Sequence, residues 1–214
     1  MIKEIIGFNN KPNQDLDNED CVRSILERGN NDELEKVANH YNLSPEQTKI
    51  FSYFSKLRRE VLNGMKESKE ERKKNNPVAT DAELGLGAYQ ENIEPQVRDA
   101  VLNLRKKGYA TYESGFNGFN NQIISFEKNC LENFQLPSQI IDKFKDKGVI
   151  IEIKPNRVKL TFKSEFNQKE ISDFWQEIEG HFPNLGESAQ PCQLNQAVLF
   201  REKQKNLGTL TKCD

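Results

Sequence analysis

Gly108-Tyr-Ala-Thr-Tyr-Glu-Ser-Gly-Phe-Asn-Gly-Phe-Asn-Asn-Gln-Ile-Ile-Ser-Phe-Glu127 is the stretch on which the fold turns. Tyr109 to Ser114 alternates Tyr, Thr and Glu on one side with Ala, Tyr and Ser on the other, and Gln122 to Glu127 is rich in β-branched and aromatic residues. Both are strand patterns, and the Gly, Asn and Phe between them predict a hairpin with a loop over 115–121. The same grammar returns downstream, where Val149 to Lys154 and Val158 to Lys163 are separated by Pro155-Asn156-Arg157. A helix ending in Lys-Gly precedes each hairpin, Leu104-Arg-Lys-Lys-Gly108 and Phe144-Lys-Asp-Lys-Gly148, and each glycine suits the left-handed position that ends a helix.

A helix-strand-strand unit used twice predicts an α+β domain with a four-stranded, mainly antiparallel sheet. Its helices are expected to face inward through Val97, Ala100, Val101 and Leu104, then Ile140, Ile141 and Phe144. A last helix, capped by Asn167, is expected to face inward through Ile171, Phe174, Trp175 and Ile178.

On the N-terminal side of this unit the chain reads as helical. Two short helices are expected at Asp20–Arg28 and Asn31–Tyr41, and Ser44-Pro45-Glu46-Gln47 is a capping-box start for a long one. Ile50, Phe51, Phe54, Leu57, Val61 and Met65 give that helix an apolar stripe, whereas 66–76 has no apolar residue and reads as a solvated extension. Residues 1–43 carry 5 basic and 9 acidic side chains and residues 44–76 carry 9 and 5, so these parts attract one another. The expected organisation is a helical segment at 1–76, a linker at 77–92, the α+β domain at 93–183 and an extended tail at 184–214, with a helical turn or two around 197–205.

Hydrophobic residues make up 35% of the 214 and charged residues 30%, with a net charge of −2, which argues against whole-molecule attraction to nucleic acid or anionic membrane. Cys21, Cys130, Cys192 and Cys213 are scattered without the spacing of a zinc site or disulfide framework, so neither metal nor other cofactor is expected. Without an apolar run of spanning length, the expectation is a cytoplasmic protein without membrane contact.

Aromatics on a loop rich in amides suit stacking or peptide recognition, so the leading expectation is a non-enzymatic binding module. Its partner would be a protein or small ligand held by Tyr112, Glu113, Phe116, Asn117, Phe119 and Asn120. The competing reading folds Phe116 and Phe119 back as a lid on the core. Glu113 with its polar neighbours, or a Cys130–His181 pair, would be the residues of an enzyme, although no spacing supports that dyad. His181 otherwise suits the helix C-terminus on which it sits.

Glu35-Lys-Val-Ala-Asn-His-Tyr-Asn-Leu-Ser-Pro-Glu-Gln47, followed by Arg58-Arg59, resembles the helix-turn-helix of bacterial DNA-binding regulators over 34–61, with Thr48 where that family places a branched apolar residue. The resemblance implies nucleic-acid contacts through Lys49, Lys56, Arg58 and Arg59. The helix leading into Gly108-Tyr-Ala-Thr-Tyr-Glu-Ser114 is similar to the opening of the wybutosine-synthesis methyltransferase-like module, where a Thr-x-x-Ser strand follows. The Cys and Arg of that module are not found next here, so no residue role is taken from it.

Overall fold

Local capping chemistry sets the helix starts in this computed structural model, which describes residues 15–75 and 90–185. After a short 3-10 turn at Asp15–Asp17 come α1 (Glu19–Arg28), α2 (Asn31–His40) and α3 (Pro45–Asn75). Asn30 and Glu33 close a reciprocal capping box on α2, with bonds of 3.0 and 2.8 Å, and Ser44 and Gln47 close another on α3. Each box satisfies two of the amides that a helix start leaves without partners. Asn42, at φ 50°, takes the left-handed step in the four-residue turn between α2 and α3.

The second part runs α4 (Pro95–Lys106), β1 (Thr111–Phe116), β2 (Asn121–Phe126), α5 (Ser138–Asp146), β3 (Val149–Lys154), β4 (Arg157–Phe162) and α6 (Gln168–Gly180). Gly108 and Gly148 turn the chain out of α4 and α5 at φ 96° and 82°, conformations that an L side chain resists. The four strands form one antiparallel sheet in the order β1-β2-β4-β3, so the two hairpins meet along β2 and β4. Opposite pairs Ile124–Val158, Ile151–Leu160 and Val149–Phe162 put one face of the sheet toward α4 and α6. Asn167 and Glu170 cap α6, whose Ile171, Phe174, Trp175 and Ile178 are all buried as the sequence pattern predicts. The Trp175 indole N–H donates to buried Gln122 Oε1 at 2.7 Å, which gives the ring a polar anchor in the core.

The architecture is therefore α+β, with an N-terminal helical segment. Phe54 and Val61 of α3 lie in the same apolar cluster as the sheet, and the Phe54 ring stacks on Phe162 at 5.1 Å. A second cluster contains Leu16, Val22, Leu26, Leu34, Val37, Ala38 and Phe51. One stripe of α3 thus serves two cores, Phe51 in one and Phe54 in the other.

Two expectations need correction. The first hairpin loop is shorter than 115–121, because Gly115 and Phe116 stay paired with Ile123 and Gln122 and only 117–120 connect the strands. Ile141 is exposed rather than inward, since α5 is a short helix that buries Phe144 fully and Ile140 only in part. The polar end of α3 continues to Asn75 as a mostly exposed helix, as expected, and it also has partners outside the helix: Arg72 pairs with Glu91 at 2.7 Å and Lys69 donates to Asn92 at 2.8 Å. Most of the expected linker, the tail beyond Leu185 with its helical turn, and residues 1–14 lie outside the described residues. Among the described residues, no helix is long and apolar enough to cross a membrane.

Candidate functional site

The hairpin residues separate by exposure. Tyr112 sits at an irregularity in the β1–β2 pairing and is exposed, and Glu113 is half-exposed beside it, with Oε2 accepting from Ser125 Oγ at 3.3 Å and 3.8 Å from Arg157 Nη2. Phe116 is buried at 7% exposure and faces Phe54, with ring centroids 6.4 Å apart. Phe119 is half-buried, edge-on to Tyr41 and Phe51 at 5.1 Å each. The Asn120 amide donates to the Phe162 carbonyl at 2.5 Å, and the Asn117 N–H donates to the Asn121 carbonyl. Phe116, Phe119 and Asn120 are thus engaged in packing and bonding within the molecule, whereas Tyr112 remains exposed.

The α3 cations also separate. Arg58 is 6% exposed and pairs with Glu27 of α1 at 2.8 Å, so it is not available to phosphate at the surface. Arg59 is half-buried and donates to the carbonyls of Ser55 and Gly29. Lys49 and Lys56 are exposed, and Lys49 lies 3.3 Å from exposed Glu165. The position of Arg58 has a signal in the sequence: it is four residues after Phe54 and three before Val61, inside the apolar stripe.

Between α2 and α3 lies an open groove of about 410 Å³, within the size range of small-ligand sites. Leu34 and Tyr53 line it together with Asn31, Ser52, Lys56, Arg59, Glu60 and Asn63. Burial, and after it the carboxylates of Glu165, Glu170 and Glu60, push the Tyr53 phenol above its ordinary value, so it keeps its proton as a donor. The groove brings together two of the predicted cations, Lys56 and Arg59, with residues that sequence reasoning missed.

Cys130 follows β2 and packs partly against the core, and burial pushes its thiol up, opposite to the shift that activates a nucleophile. His181 caps the C-terminus of α6. Glu94, read from sequence only as the residue before a helix-starting proline, emerges as an enclosed carboxyl beside β1, where its Oε2 accepts from the Phe116 N–H at 3.0 Å. Burial is the largest influence on it and raises its pKa. The chain matches no protein-family model, no curated protein and no solved structure.

Proposed function

We propose that this protein is a non-enzymatic binding module whose ligand-contacting surface is the groove between α2 and α3. The observation that carries the reading is the groove itself: a concave surface with apolar Leu34 and Tyr53 beside amide, hydroxyl and charged groups. Sites of that composition take up a ligand's apolar part by area and its orientation by a few polar contacts. The 117–120 loop supports the groove indirectly, because Phe119 leans on Tyr41 and Phe51 and so steadies the turn and the helix that form it. Exposed Tyr112 and Glu113 are secondary contacts on this reading.

A display library of random peptides selected on the full chain, with amide shifts mapped for the best binder, tests this. Shifts centred on Ser52, Tyr53, Lys56 and Asn63, and loss of binding in Ser52→Arg, are expected. Ser52 is exposed, so that change fills the groove without entering a core. Shifts centred on another surface, with Ser52→Arg binding normally, would remove the groove from consideration.

The turn geometry favours a second reading, in which the α2–α3 pair meets nucleic acid. A four-residue turn with Asn42 in the left-handed region is the connection that a helix-turn-helix uses. Lys49, Ser52 and Lys56 share the exposed side of the second helix at spacings of three and four.

A further inference from the structure

The seam between the N-terminal helices and the sheet closes around one carboxyl group. Glu94 stands at the entry to α4 without capping it, and its side chain reaches the edge of β1. There Oε2 accepts from the Phe116 N–H at 3.0 Å and lies 2.5 Å from the Gln96 side-chain nitrogen. Gly115 makes the approach feasible, since a Cβ at that position would come within 2.6 and 2.7 Å of the two carboxyl oxygens. The charged groups facing Glu94 are Arg58 from α3 and Glu27 from α1, themselves paired at 2.8 Å; α4 presents the uncharged Gln96, and β1 its backbone.

One cation and two carboxylates therefore lie together at the seam, Arg58 buried, Glu94 half-buried and the Glu27 side chain 23% exposed. Glu27 already neutralises Arg58 by direct contact, and a second ionised carboxylate would leave a net negative charge where hydration is reduced. Burial pushes the Glu94 carboxyl above its ordinary range and Glu27 pushes the same way, while the Phe116 N–H, Arg58 and Gln96 oppose them. The 2.5 Å contact with Gln96 is short for an N–H···O bond. Beside this contact Gln96 Oε1 is buried without a hydrogen-bond partner. Arg58 Nε and Nη1 are likewise buried without partners, so the seam is not saturated with bonds that would lock it in one state.

We propose that Glu94 is a proton-controlled latch: as the neutral acid it fits the seam between α1, α3 and the end of β1, and its ionisation loosens that seam at the Phe116 and Phe119 contacts. This goes beyond the groove reading and does not rest on it. The direction follows from linkage. A carboxyl whose folded-state pKa is raised contributes stability that is fully present below its unfolded pKa and is lost as pH rises through the folded one. Within that window, the folding equilibrium constant falls by up to about tenfold per pH unit, the slope for one proton.

The test uses the full chain. Unfolding is followed from about pH 4 to about pH 9 for wild type and Glu94→Gln, together with the Glu94 side-chain carboxyl resonance and the exchange rate of the Phe116 amide in wild type. The expected result is a Glu94 resonance that stays at its neutral-acid position well above the ordinary carboxyl range, with Phe116 protection dropping as it titrates. In Glu94→Gln the one-proton slope is expected to be absent and the protection to persist. A Glu94 titration in the ordinary carboxyl range, with Phe116 protection flat through it, would overturn the latch. Because both wild-type readouts decide the matter, failure of Glu94→Gln to fold does not leave it open.

Discussion

The ring of Phe119, on the loop between β1 and β2, stands edge-on to the ring of Phe51 in α3 at 5.1 Å, while Phe116, three residues earlier, faces Phe54, three residues later on that helix. Two aromatic pairs in reversed order therefore clip the hairpin across both apolar clusters. Phe116→Ala is expected to lose about 3 to 5 kcal/mol, the usual cost of emptying a buried phenylalanine site. Phe119→Ala, at a half-buried site, is expected to lose about 2 kcal/mol, roughly half of that. Urea unfolding of both variants checks this, and a loss under about 0.5 kcal/mol for Phe119→Ala, ordinary for a free surface residue, would make the loop an open binding surface again.

Two glycines are expected to respond in opposite senses. Gly115→Ala must hold a side chain at φ 107° and displace the Glu94 carboxyl, so a loss of about 2 kcal/mol or more is expected, the left-handed penalty alone being roughly 1 to 2. Gly64 lies inside α3, where an added methyl group would meet nothing within 4 Å, and Gly64→Ala should gain about 0.5 to 1 kcal/mol from helix propensity. Denaturant midpoints measured side by side distinguish them, and equal responses would contradict the close approach of Glu94 to β1.

Asn167→Ala removes the side-chain arm of the capping box on α6, the helix that carries Trp175 into the core, and leaves the bond from the residue-167 N–H to Glu170 Oε2. A loss of about 1 kcal/mol is expected. Tryptophan fluorescence during unfolding reads it directly, and an unchanged midpoint would mean that α6 is held by its apolar face alone.

Nucleic-acid binding through α3 would rest on Lys49 and Lys56. Two phosphate contacts give a log-log salt slope of about −1.8 on duplex DNA. Lys49→Ala with Lys56→Ala should flatten it. Arg58→Ala should instead lower stability, by roughly 3 kcal/mol, because it strands the carboxylate of Glu27. Titrations at several salt concentrations check the slope, and a steeper dependence carried by Arg58 would show that this side chain leaves its buried position.

Local rules made much of the molecule legible. The capping boxes, Pro95 at the start of α4, the glycines at 108 and 148 and the inward face of α6 each depend on residues within about one turn of one another. Strand alternation identified four strands, but it could not show that Gly115 extends β1 and shortens the hairpin loop. That depends on the pairing of β1 with β2 and on the Glu94 carboxyl from before α4.

Where helices and strands begin, and which of their faces are apolar, follows from the amino-acid order alone, because capping, left-handed glycine and periodicity are short-range chemistry. What those faces meet is a matter of long-range packing. Burial is non-directional, and an apolar stripe records that a surface leaves water, not which partner covers it. The same aromatics suit ligand contacts equally well until Phe116 and Phe119 are placed against Phe54 and Phe51. Arg58 and Glu94 are charged residues whose enclosure depends on elements more than 30 residues apart, the 31 between Glu27 and Arg58 and the 36 between Arg58 and Glu94, a separation at which a local pattern carries no information.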